Sequence, residues 1–456
     1  MIDLVIQNGM VVTPQGVFKT GIGVKNGIIV TLGYENVLPK AKEKIDAEGL
    51  HVLPGLIDEH VHFRDPGLTY KEDFESGSKA AAAGGVTTVI DMPNTVPPVA
   101  TVNAFQEKKR IAKGRSYVDY GLYAVLIEEN IEEIVNLVDA GVMGFKLFMG
   151  ETTGYIRCPS CGILYEQFKK VRNSGLRIGA HAEDDVILQH FKAKLIAKGR
   201  KDPRAHLESR PSFAEHMAIV RGIVLSKETG CPFHIFHLST KNGIEEVIAA
   251  KKNGLSVTAE VLVSHLLLDD SVYEKLGNLI RLNPPIRTKE HQDALWEGIQ
   301  KGWIDVIATD HAPHSIKEKT TDNVWEAACG FIGVETALPL MLSQVNKGRI
   351  SLEYYSKLVS ENPARIWKLF PQKGIIQIGS DADFVLVDLK REGTIEAKNL
   401  HSKDRLTPFN GWRVKGLPKY TILRGKVIME EGVVLGTPSG KWVRPINSDN
   451  NGIHKK

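Results

Sequence analysis

Two histidines, His60 and His62, are separated by one residue in the segment Asp58-Glu59-His60-Val61-His62, which follows the apolar residues 52–57. In a β-strand, residues i and i+2 point to the same side, so both imidazoles could reach one metal ion. Imidazole is a ligand that suits zinc and its neighbours among the transition metals. The pair alone is weak evidence, because a histidine near a strand end is more often a hydrogen-bonded residue of the core or rim. Other residues strengthen the metal hypothesis.

Further candidate ligands, His181, His237 and Asp310, end or follow three other apolar runs. An aspartate in that position is often only a helix N-cap. Another run, 144–148, carries Lys146 among apolar neighbours, where an unpaired ammonium is costly and would repel metal cations. Lys146 is therefore paired with an acid, extended towards solvent, or converted by carbon dioxide into a carboxylate that could bridge two cations. Cations in two-metal sites lie roughly 3.5–4 Å apart.

A repeating pattern of strands and helices must position these residues. Eight short, mostly β-branched apolar runs recur in the middle of the chain, and they are 53–63, 86–92, 118–126, 142–148, 176–181, 233–238, 255–263 and 304–309. Helical patterns lie between most of them, and several end in glycine, which easily takes the left-handed conformation of a helix C-terminus. This alternation predicts a parallel sheet, and eight repeats favour a closed (β/α)8 TIM barrel with its active residues at the C-terminal strand ends.

The two ends of the chain follow a different pattern. Residues 1–52 and 374–445 show strand-like alternation, with turn sequences at Asn8-Gly9 and Asn26-Gly27 that are typical of β-hairpins. We expect these two segments to pair into one small β-sandwich domain that flanks a barrel of residues 53–373. The predicted fold class is therefore α/β.

Composition argues against several classes of protein. A formal net charge of +4 on 456 residues gives no reason to expect nucleic acid or an anionic membrane as a partner. No apolar run reaches the ~18 residues of a membrane span, and no signal peptide precedes the first strand pattern. Four irregularly spaced cysteines argue against a disulfide framework and favour a cytoplasmic location. The pair Cys158 and Cys161 is interpreted as incidental thiols, with a metal or regulatory role as the alternative, and residues 446–456 are expected to be a disordered tail.

The motifs together resemble the amidohydrolase superfamily, and within it the cyclic amidohydrolases, which include dihydroorotases, hydantoinases and allantoinases. The resemblance runs from Ile2 to about Pro445. The matching motifs are Pro54-Gly55-Leu56-Ile57-Asp58-x-His60-Val61-His62, Gly144-Phe145-Lys146-x-Phe148, His181-Ala182-Glu183, His237-x-Ser239 and Thr309-Asp310-His311-Ala312-Pro313-His314. The resemblance also implies that the two flanking β segments form a small sandwich domain.

The resemblance implies two zinc ions per subunit. One would be held by His60, His62 and Asp310, the other by His181 and His237, with N-carboxylated Lys146 and a hydroxide bridging them. Two cations lower the pKa of a bridging water, so that hydroxide forms at neutral pH. Asp310 would take the proton as this hydroxide attacks the ring amide, and would then pass it to the departing ring nitrogen as a general acid.

Three residues near these ligands bear on the substrate. Arg64 follows the second histidine of the pair by two positions, so an extended backbone would point it into the same interior. Arginine makes paired hydrogen bonds to carboxylates, and Asn94 and His314 can add donors. In dihydroorotases the residues at these motif positions bind the substrate carboxylate, which hydantoin and allantoin lack. Alternatively, Arg64 forms a salt bridge at the rim with Asp65 or Glu72.

A second region, Arg281-Leu282-Asn283-Pro284-Pro285, also looks like that of dihydroorotases, where it touches the pyrimidine ring. Asn283 is the expected ring contact, although an asparagine before Pro-Pro is nearly as often a turn residue. Many bacterial dihydroorotases carry aspartate where this chain has Lys146. A lysine in this setting is shared with hydantoinases, allantoinases and other dihydroorotase branches, which keeps those activities open.

We therefore predict a zinc-dependent dihydroorotase that interconverts (S)-dihydroorotate and N-carbamoyl-L-aspartate in de novo pyrimidine biosynthesis. The alternative is an allantoinase or a hydantoinase (dihydropyrimidinase-like) that acts on a ring without a carboxylate. A third hypothesis, a non-catalytic scaffold of the same superfamily, is disfavoured because such members lose metal ligands and every expected ligand is present here. We expect a homodimer or homotetramer, and the family also allows association with a transcarbamoylase.

Overall fold

The computed structural model describes residues 1–154 and 156–446. The strands within these residues are β1 (Ile2–Gln7), β2 (Met10–Thr13), β3 (Gly16–Lys19), β4 (Gly21–Lys25), β5 (Ile28–Gly33), β6 (Ala41–Asp46), β7 (His51–Pro54), β8 (Leu56–Val61), β9 (Val86–Asp91), β10 (Asp119–Leu122), β11 (Ala124–Val125), β12 (Phe145–Phe148), β13 (Ile178–His181), β14 (Phe233–Ile235), β15 (Val257–Leu262), β16 (Val306–Ala308), β17 (Phe384–Thr394), β18 (Arg413–Leu423), β19 (Lys426–Glu430) and β20 (Val433–Val434). Of the predicted disordered tail, residues 447–456 lie outside the described part of the chain, whereas the Ile446 amide donates to the Lys368 carbonyl oxygen at 2.8 Å.

The helices lie mostly between the barrel strands, as the sequence pattern predicts. The α-helices of the described residues are α1 (Phe74–Ala83), α2 (Val102–Ala112), α3 (Glu133–Ala140), α4 (Cys161–Ser174), α5 (Asp185–Ala197), α6 (Pro203–Ser209), α7 (Ser212–Thr229), α8 (Lys241–Lys252), α9 (Val263–Leu267), α10 (Tyr273–Leu276), α11 (Lys289–Gln300), α12 (Ile316–Lys319), α13 (Ala337–Asn346), α14 (Leu352–Ser356) and α15 (Asn362–Ile366). Glycine follows α1 at Gly85, where φ is +82° and an added Cβ would lie 2.7 Å from the Leu338 side chain. Only glycine fits this turn from helix to strand.

Strands β8 to β16 form the predicted barrel. They pair in parallel and in chain order, as β8–β9–β10 and as β11 through β16. The third predicted strand is interrupted at Tyr123, because its amide still donates to Asp91 of β9 while the next amide donates to Gly144, before β12. The ring closes where Val61 of β8 bridges to His311 beyond β16. The eight-stranded barrel predicted from the sequence is confirmed.

The flanking β-sandwich consists of two sheets from the two ends of the chain. One has the order β5-β4-β1-β6, and the other has the order β20-β19-β18-β17-β7-β2-β3. Apolar side chains from both sheets, among them Leu4, Ile22 and Phe384, form a separate buried cluster between them. The hairpin predicted at Asn26-Gly27 joins β4 to β5. The hairpin predicted at Asn8-Gly9 is wrong, because β1 and β2 lie in different sheets.

Barrel and sandwich meet at a buried lysine. Lys373 Nζ donates to Asp119 of β10 at 2.8 Å, to Asp381 at 2.9 Å and to Asp383 at 2.7 Å. Three carboxylates offset the cost of burying this ammonium.

We keep residues 53–373 as the proposed barrel domain and residues 1–52 and 374–445 as the proposed sandwich domain, although β7 continues in the sandwich sheet as far as Pro54. Among the described residues, no helix combines the length and apolar character needed to cross a bilayer.

Candidate metal centre and active site

A cavity opens at the C-terminal ends of the barrel strands, where parallel strands of a barrel bring distant residues together. It is lined by His60, His62, Arg64, Asn94, Lys146, Phe148, Glu151, Thr152, Thr153, His181, His237, Leu282, Asn283, Asp310, Ala312 and Cys329. All six predicted metal ligands therefore lie at one cavity. Three of the four predicted substrate residues also line it, and His314 does not.

The first group of candidate ligands combines the ends of β8 and β16. His62 Nε2 lies 3.0 Å and His60 Nε2 lies 3.4 Å from Asp310 Oδ1. Two ligand atoms at ~2.0–2.1 Å from a tetrahedral zinc ion are about 3.3–3.4 Å apart, so these spacings fit a shared ion. Asp310 adopts a φ of +46°, which is rare for a residue other than glycine and directs its carboxylate into the cavity.

The second group combines β13 with the loop after β14. His181 Nδ1 lies 3.1 Å from His237 Nε2, which also fits the spacing of two ligands on one ion. His237 lies two residues beyond β14 and has a φ of +40°, so a local left-handed bend aims its ring. His60, His237 and Asp310 also bring one donor atom each within 4.8 Å of the others, which places the two groups side by side.

Three of the four ring nitrogens that face away from the centre lie close to a polar side chain, whereas His237 Nδ1 has no hydrogen-bond partner among the described residues. His60 Nδ1 lies 2.9 Å from Glu260 Oε1, His62 Nδ1 lies 2.7 Å from Asn94 Oδ1, and His181 Nε2 lies 3.0 Å from Glu183 Oε2. Such partners fix the tautomer and plane of a metal-binding histidine. Burial holds the pKa of His60 well below its ordinary value and also lowers the pKa of His62. Both rings are therefore neutral, which is the form that binds metal.

Lys146 of β12 projects into the same space. Its Nζ is buried, has no hydrogen-bond partner among the described residues and lies 4.0 Å from the centre of the Phe236 ring. Burial lowers the pKa of Lys146 to about 7, although Asp310 and Glu260 oppose this shift. A neutral amine is the form that reacts with carbon dioxide. The side chain thus fits the predicted bridging carboxylate better than a permanent ammonium.

Arg64 is almost completely buried, at 2% exposure, and it forms no ion pair within the described residues. Its Nε donates to the Pro313 carbonyl oxygen at 3.2 Å, and burial lowers its pKa to about 10. The rim salt bridge is wrong, because Asp65 pairs with Arg115 at 2.6 Å and Glu72 forms no ion pair with Arg64. An extended backbone was expected to point Arg64 into the interior. That expectation is also wrong, because Arg64 lies beyond β8 in a left-handed conformation with a φ of +62°. Its side chain nevertheless lines the cavity.

The other predicted substrate residues differ in position. His314 does not line the cavity but contacts Arg64. Its Nε2 lies 3.1 Å from an Arg64 nitrogen and 2.9 Å from the Cys329 carbonyl oxygen. Asn94 lines the cavity, but its carboxamide contacts His62 and donates to the Thr153 carbonyl oxygen at 3.3 Å. Asn283 also lines it and leaves its buried Oδ1 without a hydrogen-bond partner in the described chain.

Sequence reasoning missed two buried carboxylates that support the candidate ligands. Glu260 lies in β15 and accepts a hydrogen bond from the His237 amide at 2.9 Å in addition to its contact with His60. Burial opposes ionisation of Glu183, but the Arg210 guanidinium and His181 lower its pKa to about 2. A charged residue within an apolar strand pattern was the available signal for Glu260. The same kind of signal identified Lys146.

Cys161 is the first residue of α4, Cys158 lies in the segment before the helix, and both carry free thiols. Cys161 is exposed, whereas Cys158 is half-buried and burial raises its pKa to about 11. Their interpretation as incidental thiols stays a prediction.

Comparison with known proteins places this architecture in a family. The model of the amidohydrolase family matches residues 51–428. The chain is 38% identical to L-hydantoinase of Paenarthrobacter aurescens over 440 residues, and 40% identical to dihydroorotase of Methanothermobacter thermautotrophicus over 436 residues. In both cases the match covers 95% of this chain and 96% of the relative. Allantoinase of Deinococcus radiodurans is 34% identical over 448 residues, which is 97% of this chain and 99% of that protein.

A solved structure gives the same assignment. L-hydantoinase from Arthrobacter aurescens superposes with a TM-score of 0.95 at 37% sequence identity, over 97% of this chain and all (100%) of that one. These relatives are named for three different activities, hydantoinase, dihydroorotase and allantoinase, but all of them are cyclic amidohydrolases. The chain therefore belongs to the amidohydrolase family and, within it, to the cyclic amidohydrolases, which hydrolyse cyclic amide bonds.

Proposed function

We propose that this protein is a dihydroorotase that interconverts (S)-dihydroorotate and N-carbamoyl-L-aspartate in de novo pyrimidine biosynthesis. The observation that carries the proposal is the buried Arg64 guanidinium, which lines the cavity without a carboxylate partner among the described residues. Nearby carboxylates such as Asp310 raise the pKa of Arg64 but do not outweigh its burial. A buried charge without an ion-pair partner is costly, and an anionic ligand offsets that cost. Dihydroorotate supplies such an anion beside its scissile amide, and hydantoin and allantoin do not.

The proposed centre contains two zinc ions, with His60, His62 and Asp310 on one and with His181 and His237 on the other. N-carboxylated Lys146 would bridge them. When bound, such ions supply hydroxide at neutral pH and polarise the amide carbonyl.

Asp310 is the proposed proton carrier. Its carboxylate lies 3.0 Å from His62 Nε2, and Asp310 lines the cavity, so it can accept the proton released during attack on the ring. Amide nitrogen is a poor leaving group until it is protonated, and Asp310 can deliver the same proton to it. The reverse sequence of proton transfers closes the ring.

Arg64 is proposed to orient the substrate. A guanidinium binds a carboxylate through two parallel hydrogen bonds, which fixes both the position and the plane of the ligand. The ring amide would then face the metal centre in a near-attack geometry. Asn283, whose buried Oδ1 is free in the described chain, is proposed to contact the ring. Asn94 would act mainly through His62, and His314 would hold Arg64 rather than the substrate.

Replacement of Arg64 by alanine tests the carboxylate assignment. A hydrogen bond to a charged group contributes ~1.5–3 kcal/mol, so we expect KM for dihydroorotate to rise at least about tenfold. Because the lost contact acts on substrate and transition state alike, kcat should fall less than kcat/KM. Steady-state kinetics in the hydrolytic direction measure both constants.

Two further variants control this experiment. Arg64→Lys keeps the charge but lacks the planar fork, so it should lie between wild type and Arg64→Ala. Arg110→Ala removes an exposed arginine of α2 whose one ion pair within residues 1–154 and 156–446 is with Glu107, and it should leave KM unchanged. Near-normal kinetics of Arg64→Ala on dihydroorotate would remove the basis of the carboxylate assignment.

The second candidate function is a hydantoinase or allantoinase. It is favoured by the 38% identity to L-hydantoinase of Paenarthrobacter aurescens and by the TM-score of 0.95 with the structure of L-hydantoinase from Arthrobacter aurescens. This alternative keeps the same metal centre and assigns Arg64 to another role. For either activity we propose a cytoplasmic homodimer or homotetramer. Association with a transcarbamoylase remains part of the dihydroorotase hypothesis alone.

A further inference from the structure

The histidines of the proposed second metal site are supported by a buried ion network that the proposed mechanism does not use. Arg210, at the C-terminal end of α6, is 2% exposed, and Glu183 is completely buried. Arg210 Nη1 donates to Glu183 Oε2, and the same carboxylate oxygen lies 3.0 Å from His181 Nε2. His181 Nδ1 is thereby left free to face His237 Nε2 at 3.1 Å.

Arg287 extends this network to the other ligand. Its Nε donates to Ser239 Oγ at 3.0 Å, and its Nη1 donates to the Arg210 carbonyl oxygen. Ser239 follows His237 by two residues, and its amide donates to Glu215 Oε1 at 2.9 Å. Strand β14 ends at Ile235, and His237 lies in the loop beyond it. This loop is held by these side chains and by two backbone hydrogen bonds, from the Phe236 amide to Ala180 and from the Leu238 amide to Glu260.

The first metal site is supported differently. His60 and His62 direct their outer nitrogens to Glu260 and Asn94. In the described residues, no arginine forms an ion pair or hydrogen bond with either partner. The arginine network therefore acts on one half of the proposed centre, which makes its contribution separable by experiment.

We propose that Arg210 is a positioning residue for the second metal ion. By holding the Glu183 carboxylate against His181 Nε2, it fixes the tautomer and ring plane in which His181 Nδ1 can bind the ion. The proposal rests on the two-ion centre of the proposed function, and it does not depend on which cyclic amide is the substrate. Loss of a side chain that holds a metal-binding histidine in place typically weakens metal binding about 10- to 100-fold.

Zinc binding tests this proposal without reference to activity. Metal-free protein, supplied with bicarbonate, is equilibrated over a range of buffered free zinc concentrations, and bound zinc per chain is measured after separation. We expect Arg210→Met to weaken the second zinc about 10- to 100-fold and to leave the first unchanged. Arg210→Lys keeps the positive charge but lacks the paired donors of the planar guanidinium, and it should give a smaller loss of zinc affinity.

A double-mutant cycle separates positioning from general damage to the fold. Arg210→Met leaves Glu183 buried without its main counter-charge, whereas Glu183→Leu/Arg210→Met removes both buried charges together. If Arg210 acts through Glu183, the double variant binds the second zinc no more weakly than Glu183→Leu alone. Arg204→Met is the matched control, because Arg204 lies on the same helix and pairs with Asp270 and Glu274 at the surface.

Three outcomes would overturn the inference. Wild-type affinity for both zinc ions in Arg210→Met would show that the ion pair does not position His181. Additive losses in the double variant would show that Arg210 acts independently of Glu183. Binding of fewer than two zinc ions by the wild-type protein would overturn the two-ion centre itself, and this result is distinguishable because it appears before any substitution.

Discussion

Asp310→Asn is expected to abolish turnover of dihydroorotate in both directions while the fold survives. Asparagine has nearly the same shape and keeps a carbonyl oxygen that can face His62, but it cannot accept and return a proton. Positioned general acid–base groups contribute about 10²- to 10⁴-fold, so we expect kcat to fall by about three orders of magnitude or more. Steady-state kinetics, with zinc content and a thermal unfolding curve on the same sample, measure this effect.

Asp293→Asn is the matched control for this substitution. Asp293 is an exposed residue of α11 that pairs with Lys289, so the same change of charge there should leave kcat unaltered. Substantial residual turnover in Asp310→Asn, with zinc content unchanged, would mean that another group carries the proton. Loss of the zinc together with turnover would instead assign Asp310 a role in metal binding and would leave the proton path to be tested with a metal-replete variant.

Lys146→Met is expected to lower the zinc content from two ions towards one per chain and to reduce kcat/KM by at least about 100-fold. Loss of a side chain that holds a metal ligand costs about 10- to 100-fold, and loss of a proposed bridging ligand should cost no less than the upper end of that range. Methionine fills the buried space beside Phe236 but cannot be converted into a carboxylate. Metal analysis of the purified variant, together with kinetics on dihydroorotate, measures the two effects.

The wild-type protein supplies the matching test of Lys146 modification. Zinc added to metal-free wild-type protein in buffer without carbon dioxide should restore little activity, and bicarbonate should increase it. Lys146→Met should show no response to bicarbonate. Equal zinc binding by the wild-type protein with and without bicarbonate would contradict the bridging role of a carboxylated lysine.

The barrel and the grouping of candidate ligands were predictable because both depend on local patterns. Parallel strands end on the same side of a barrel, so His60, His181 and His237 had to converge once the eight strand runs were recognised. Resemblance to a family then supplied ligand roles and a substrate that spacing alone could not give.

The supporting contacts were not predictable, because each depends on tertiary packing between residues far apart in sequence. His60 meets Glu260 across 200 positions, and Arg64 meets His314 across 250. The left-handed backbone of Arg64 also has no sequence signal, since arginine rarely adopts it. The predicted direct contact of His314 with substrate depends on such packing and stays a prediction, and in the structure His314 Nε2 lies 3.1 Å from an Arg64 nitrogen.

The most direct test of the proposed function is a side-by-side hydrolysis assay of the zinc-loaded protein on dihydroorotate, allantoin and hydantoin. The Arg64 assignment predicts the highest kcat/KM for dihydroorotate, because it alone carries a carboxylate for the buried guanidinium. A higher kcat/KM for allantoin or hydantoin would contradict the dihydroorotase proposal. The barrel and the candidate metal centre would then stand, and Arg64 would require a different role.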